Sequence, residues 1–291
     1  MGNACSMCAA GGDRPEVDIK TMKLYSDIER VDNELRALGI MDGQSIDPAT
    51  LAKFDSMHYE GDSAVAAAVS ALGATSASKV LDVGSGFGGP ARYLANHTGC
   101  RVTAIELQDD VHTKACVLTS RCGLDAAVTH LHGNFLDSAM QPAVGGDYDG
   151  VVSWLVFLHI PDKRALLAKC HAVLAPGGRL FTDDFYMKAE FTAAEKQSLK
   201  TDVYCENLPT KAEYTLAVEG AGFADVQWVD KTTDWTKFVT ERLSMFKAAK
   251  VRFVGLHGEP MYSKLLHFYC AVHALFVGGH LGGVRLTAKK G

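Results

Sequence analysis

Apolar residues recur at two different spacings along this 291-residue chain. Up to about residue 75 the spacing is helical. Ile19, Met22, Ile28, Val31, Leu35 and Leu38 share one face of a helix over Val17–Leu38, which Gly39 ends. Asp47 and Pro48 supply the cap and first turn of a short second helix, and an Ala- and Val-rich third helix spans Asp62–Leu72. From Lys79 onward, short apolar runs alternate with helical stretches. Strands are predicted at Lys79–Val83, Arg101–Ile105, Val128–His132, Tyr148–Trp154, Arg179–Asp183, Ala224–Val229 and Gly283–Ala288. Helices are predicted at Pro90–Thr98, Asp109–Cys122, Asp162–Leu174, Thr192–Leu199, Thr210–Ala221, Trp235–Val251 and Pro260–Val277.

Alternation of this kind predicts an α/β, doubly wound fold around a seven-stranded, mostly parallel sheet. The expected organisation is a flexible tail at 1–16, an N-terminal helical lid at 17–75, a ligand-binding core at 76–230, and a helical cap with a closing strand at 231–291. In such sheets the ligand sits at the carboxyl ends of the strands.

"VLDVGSGFGGPARYL" (Val80–Leu94) marks that edge. The spacing of Gly84, Gly86 and Gly89 is G-x-G-x-x-G, the pattern of a tight turn that brings backbone close to a ligand. Four glycines in six residues have no packing rationale, because each weakens the unfolded-to-folded balance unless its conformation is needed. By itself the loop fits either a dinucleotide or S-adenosylmethionine. Asp82 favours the latter: a carboxylate two residues before the first motif glycine needs a cationic partner at that depth, and an ammonium on the ligand provides one. Glu106, about 20 residues on, suits a ribose diol under either reading. Asn134 and Phe135 in "HGNFLD" suit an adenine edge and face, with Leu107 as the opposite wall.

The net charge of −5 and the absence of any Lys/Arg block argue against a nucleic-acid partner. The most apolar stretch, Leu265–Val284, contains His267, His273 and His280 and two Gly pairs, so it reads as a buried helix and not a membrane span. No apolar stretch follows the start, as a secretory signal requires. The eight cysteines are scattered and are expected to be reduced thiols. Cys5 and Cys8 form a C-x-x-C without a second pair, so no metal site is expected.

The first residues, "MGNACSMC", fit the myristoylation pattern, with Gly2 after Met1 and Ser6 in place. Cys5 and Cys8 offer a second acylation signal, and stable anchoring needs two. In a eukaryotic source this predicts a cytoplasmic protein held on the cytosolic face of a membrane.

Together, "VLDVGSGFGG", "AIEL", "GNFLD", "SWLVFLHI" and "LAPGGRLF" resemble the ordered motifs of class I S-adenosylmethionine-dependent methyltransferases, over about residues 75 to 185. The helical front with "MHYEGDSAV" and the helices after Asp184 are similar to small-molecule members acting on sarcosine and dimethylglycine, phosphoethanolamine or sterols. The resemblance implies a Rossmann-like core, S-adenosylmethionine bound by Tyr25, Asp82, Gly84, Ser85, Gly86, Gly89, Glu106, Leu107, Asn134, Phe135 and Trp154, and a front segment carrying Tyr25, His58 and Tyr59 that folds over the cofactor as a lid. The family often has Asp where Asn134 stands.

His159, His58 and Tyr59 are the candidate catalytic residues, and Asp184 is a further candidate for a cationic substrate. The expected reaction is methyl transfer to a small-molecule acceptor, foremost an amine. A thioether acid yielding a sulfonium osmolyte and a sterol carbon are the alternatives within the class. A dinucleotide oxidoreductase and a non-catalytic, acylated adaptor are the alternatives outside it. No dyad is required, since thioethers and tertiary amines lose no proton before attack.

Overall fold

A computed structural model describes residues 27–291. Gly2, Cys5, Cys8 and Tyr25 lie outside the described residues, as does the first part of the segment expected to be helical over Val17–Leu38.

Three helices come first: α1 (Glu29–Ala37), α2 (Pro48–Asp55) and α3 (Asp62–Leu72). The Asp47 carboxylate caps α2, accepting from the Thr50 N–H at 3.0 Å with Pro48 in the first turn, as the Asp-Pro pair predicts. The alternating region follows as β1 (Lys79–Val83), α4 (Gly89–Thr98), β2 (Arg101–Glu106), α5 (Asp109–Arg121), β3 (Val128–His132), α6 (Gln141–Val144), β4 (Tyr148–Trp154), α7 (Lys163–Val173) and β5 (Leu174–Met187). Then come α8 (Ala193–Asp202), α9 (Lys211–Gly220), β6 (Phe223–Asp230), α10 (Thr232–Ala248), α11 (Lys250–His257), α12 (Glu259–Val277) and β7 (Leu281–Lys290). The helices α8 and α9 each start in a capping box, Thr192 with Glu195 and Thr210 with Glu213.

The sheet order is β3-β2-β1-β4-β5-β7-β6. Pairings from β3 through β5 are parallel, and β7 runs antiparallel to both β5 and β6. The chain winds outward from β1 to β3, then returns to lay β4 on the other side of β1. The crevice between the carboxyl ends of β1 and β4 is therefore the point where the winding reverses, which is where doubly wound sheets bind ligands.

Two elements differ from their sequence signal. β5 starts at Leu174 and continues to Met187, because its second half pairs with β7 through Asp184–Val284 and Met187–Leu281. The single helix expected over Trp235–Val251 divides at Ala249 into α10 and α11.

The segment between β6 and β7 packs as a helical layer. α10 lies on α12, and Trp235, fully buried, meets Tyr59, Phe185 and the strand β7. A Cβ on Gly283 would stand 2.1 Å from the Trp235 ring, so this glycine lets the indole lie flat on β7. Among the described residues, no helix is long and apolar enough to cross a membrane.

Ion pairs tie the front helices to the remainder. Glu34 of α1 meets Arg252 and, at 3.1 Å, His257 of α11. Glu60 bridges Lys231 at 2.8 Å and Arg285 at 3.1 Å. Asp55 of α2 pairs with Arg92 of α4, and both side chains are almost wholly buried. Arg92 also donates to the Phe87 carbonyl at 2.6 Å and to Thr119 at 2.8 Å, so one guanidinium joins α2, the glycine loop and α5.

Candidate functional site

β1 delivers the chain into the glycine loop with Gly84 at φ +74° and Gly86 at φ +54°, conformations that favour glycine. At Gly84 the requirement is also steric: a Cβ would stand 2.4 Å from Val156, which follows β4. The loop can therefore lie close to the end of β4 only if it carries no side chain there. Gly89 has a different neighbour. It opens α4, and a Cβ on it would stand 3.0 Å from the Asp55 carboxylate. This glycine admits the buried ion pair beneath the loop.

A cavity of about 280 Å³ occupies the crevice. Its walls are the ends of four parallel strands: Asp82 with Gly84, Ser85 and Gly86; Glu106 with Leu107; Asn134 with Phe135; and Trp154 with His159 a turn beyond. Met57 and His58 of the front segment cover it, and Asp55 reaches it from below. Eleven of the thirteen described residues expected at the site thus border one space, although they come from five separate stretches of chain; Gly89 and Tyr59 do not border it.

The electrostatics of this space are specific. Asp82 is about 1% exposed, and its Oδ2 has no hydrogen-bond partner among the described residues. Burial, with the nearby Glu106 carboxylate as a lesser cause, raises its pKa to about 8. Such a group asks for a cation. Glu106 is also buried and its pKa is raised by that burial, but both its oxygens are held: Oε2 accepts from the Gly86 N–H at 2.9 Å and Oε1 from the Gln108 N–H at 2.8 Å. Each oxygen keeps a lone pair for a further donor. The Ser85 hydroxyl and the Trp154 indole N–H are likewise buried without partners among the described residues.

The two histidines are neutral at pH 7. Burial lowers both pKa values to about 4. His58 faces the Trp154 ring at 5.8 Å and bonds through Nε2 to the Gly61 carbonyl at 3.1 Å. His159 bonds through Nδ1 to the Tyr204 carbonyl at 3.0 Å. A carbonyl only accepts, so the Nδ1 of His159 carries the proton and its Nε2 keeps a lone pair.

Asn134 is exposed, and its Oδ1 accepts from the Leu136 N–H at 2.9 Å, holding the turn after β3. Phe135 is buried beneath it. Tyr59 points into an aromatic cluster with Trp235, Phe238 and Phe276, bordering a second cavity and not the first. Asp184, a sequence candidate for a cationic substrate, borders neither cavity. Its oxygens accept from the Leu158 N–H and the Tyr214 hydroxyl, both at 2.8 Å, so it anchors the segment after β4.

Met57, Leu155 and Val156 were not singled out by sequence reasoning. Their side chains are ordinary apolar ones, and only the meeting of the front segment with β4 makes them walls. Leu155 has one structural mark: φ +55°, a strained conformation for a γ-branched residue, of a kind that collects at ligand sites.

A family model described as a methyltransferase domain matches residues 80–178, the stretch that builds β1 through β4 and the start of β5. The sarcosine/dimethylglycine N-methyltransferase of Halorhodospira halochloris is 30% identical over 155 residues, 53% of this chain and 54% of that protein. The chain spans about half the length, or less, of the curated relatives it matches. Among solved structures, phosphoethanolamine N-methyltransferase 2 of Haemonchus contortus, in complex with S-adenosyl-L-methionine, aligns with a TM-score of 0.73 at 18% identity over 81% of this chain and 54% of that one. A putative sarcosine dimethylglycine methyltransferase from Galdieria sulphuraria aligns with a TM-score of 0.71 at 17% identity, covering 90% of this chain and 98% of that one. At these identities the likeness is one of fold.

Proposed function

From a chain that carries a methyltransferase domain at residues 80–178, we propose an S-adenosylmethionine-dependent methyltransferase of a small-molecule acceptor. The observation that carries this reading is the buried carboxylate of Asp82, whose Oδ2 has no partner among the described residues, on a cavity walled by glycine backbone. The ligand's ammonium matches that carboxylate, its ribose hydroxyls match the spare lone pairs of Glu106, and an adenine fits between Leu107 and Phe135. Backbone at Gly84 and Gly86 leaves room for the chain that joins them.

When bound, S-adenosylmethionine supplies a methyl group already activated by a positive sulfur. The protein's task is then to align the acceptor and exclude water. Met57 and His58 close the cavity from the front, with Trp154 behind them. Neutral His159 keeps a lone pair at Nε2 that accepts a hydrogen bond from the acceptor and orients it; a thioether or tertiary amine needs no base. The N-terminal helices serve as the lid, and the helices between β6 and β7 as the cap over the acceptor.

The test is calorimetric binding of S-adenosylmethionine and S-adenosylhomocysteine, followed by mass spectrometry of small acceptors incubated with methyl-labelled donor. Binding of a nicotinamide cofactor in their place overturns the reading.

A second proposal concerns location and rests on the N-terminal pattern. Gly2 is myristoylated in a eukaryotic cell and Cys5 or Cys8 adds the second anchor. Gly2→Ala is expected to move the protein from the membrane to the soluble fraction; identical fractionation of the two forms refutes it.

A further inference from the structure

A second cavity, of about 140 Å³, adjoins the first, and Met57 and Leu155 wall both. Its lining combines aromatic rings, among them Tyr59, Phe185 and Tyr269, with two arginines, Arg30 and Arg242. The arginines are the unusual part. Among the other described arginines that are not exposed, Arg92 and Arg285 meet carboxylates and Arg121 meets two backbone carbonyls. Among the described residues neither Arg30 nor Arg242 meets a carboxylate. Asp27, the one acid among the described residues lining this cavity, is paired with Lys264 at 2.9 Å.

Arg242 is held in another way. Its guanidinium lies 4.7 Å from the centre of the Phe238 ring, 5.3 Å from Tyr59 and 5.4 Å from Tyr269. One N–H donates to the His58 carbonyl at 3.3 Å. Aromatic faces steady a guanidinium without using its donors. Arg242 is thus half-buried, positively charged and fixed in place, with most of its five N–H groups uncommitted among the described residues. A planar fork in that condition matches a carboxylate or phosphate.

We propose that the second cavity binds the acidic end of the methyl acceptor. The acceptor is a small molecule with a carboxylate or phosphate on Arg242, assisted by Arg30, and with its nucleophilic nitrogen or sulfur reaching the first cavity between Met57 and Leu155. This rests on the methyl-transfer reading and narrows it, since a neutral sterol leaves both guanidinium groups without an anion. It also gives Tyr59 a place: its ring is one of the faces that hold Arg242.

The experiment uses the full chain saturated with S-adenosylhomocysteine. Four probes are titrated by calorimetry: acetate, inorganic phosphate, 3-(methylthio)propionate and the neutral amide of that acid. At least one anion is expected to bind, and the thioether acid to bind about tenfold or more tightly than its amide, the loss expected when a charged hydrogen-bond pair is removed. Arg242→Gln is expected to abolish that preference while the protein stays folded and still binds S-adenosylhomocysteine. Acetate and phosphate separate a carboxylate acceptor from a phosphate one. Equal binding of acid and amide, no binding of either anion, or an unaltered preference in Arg242→Gln overturns the proposal. Failure of the methyl-transfer reading is recognised separately, by absence of S-adenosylhomocysteine binding in the unmodified protein.

Discussion

The two cavities lie side by side but are built differently. The first is made by backbone: strand ends, a glycine loop and the N–H groups that grip Glu106. Its residues fall in short, regularly spaced stretches because the α/β winding delivers one strand end per repeat to the same edge. The second is made by side chains from the front segment, the end of β4 and the helices between β6 and β7. The lesson is that a shared ligand can be held by features common to a fold, whereas an individual acceptor is read by whatever the insertions place over that edge.

Breaking the link between the regions has the largest expected effect. The Asp55–Arg92 pair is buried on both sides and joins the front helices to the glycine loop. Arg92→Ala leaves Asp55 charged or protonated without its partner and is expected to cost about 3–5 kcal/mol, read as a fall in unfolding temperature of roughly 10 °C. A variant as stable as the parent would mean that the front folds independently of the loop.

Next comes an alteration confined to the backbone-built cavity. Glu106→Ala removes charge-assisted hydrogen bonds worth about 1.5–3 kcal/mol, so S-adenosylmethionine affinity is expected to fall roughly 10- to 150-fold. Acetate affinity in the second cavity should not change. Equal losses at both cavities would show that they are one site and would remove the contrast.

The smallest effect is a pH dependence that sharpens the role of Asp82. In the free protein its carboxyl is protonated below about pH 8. A bound ammonium stabilises the ionised form, so the complex carries fewer protons than the free protein and binding releases one. Affinity is therefore expected to rise with pH between about 6 and 7.5, by at most about tenfold per unit, while the ligand's own ammonium stays largely charged. In Asp82→Asn the slope should vanish. Calorimetry in buffers of different ionisation enthalpy measures the proton directly, and a pH-independent affinity in the parent would remove Asp82 from the ligand.

Much of this protein was legible in its sequence because the information is local. Seven strands were recognisable as short, apolar-rich stretches between helical ones, and the turn at Gly84 to Gly89 from spacing alone, since positive φ and close approach select glycine residue by residue. Asp82 and Glu106 stood out because a carboxylate at an apolar strand end is costly wherever the chain goes. Tertiary structure decided the rest. It decided that β7 enters between β5 and β6, that Gly89 faces Asp55, that Tyr59 borders the neighbouring cavity, and that Asp184 is spent on holding Leu158 and Tyr214. It also decided that Arg242, 184 residues from His58, donates to its carbonyl and faces no acid among the described residues. None of these has a sequence signal, because each depends on which surfaces meet after the chain has folded, and an arginine on a helix looks the same from its neighbours whether it faces solvent, a carboxylate or a pocket.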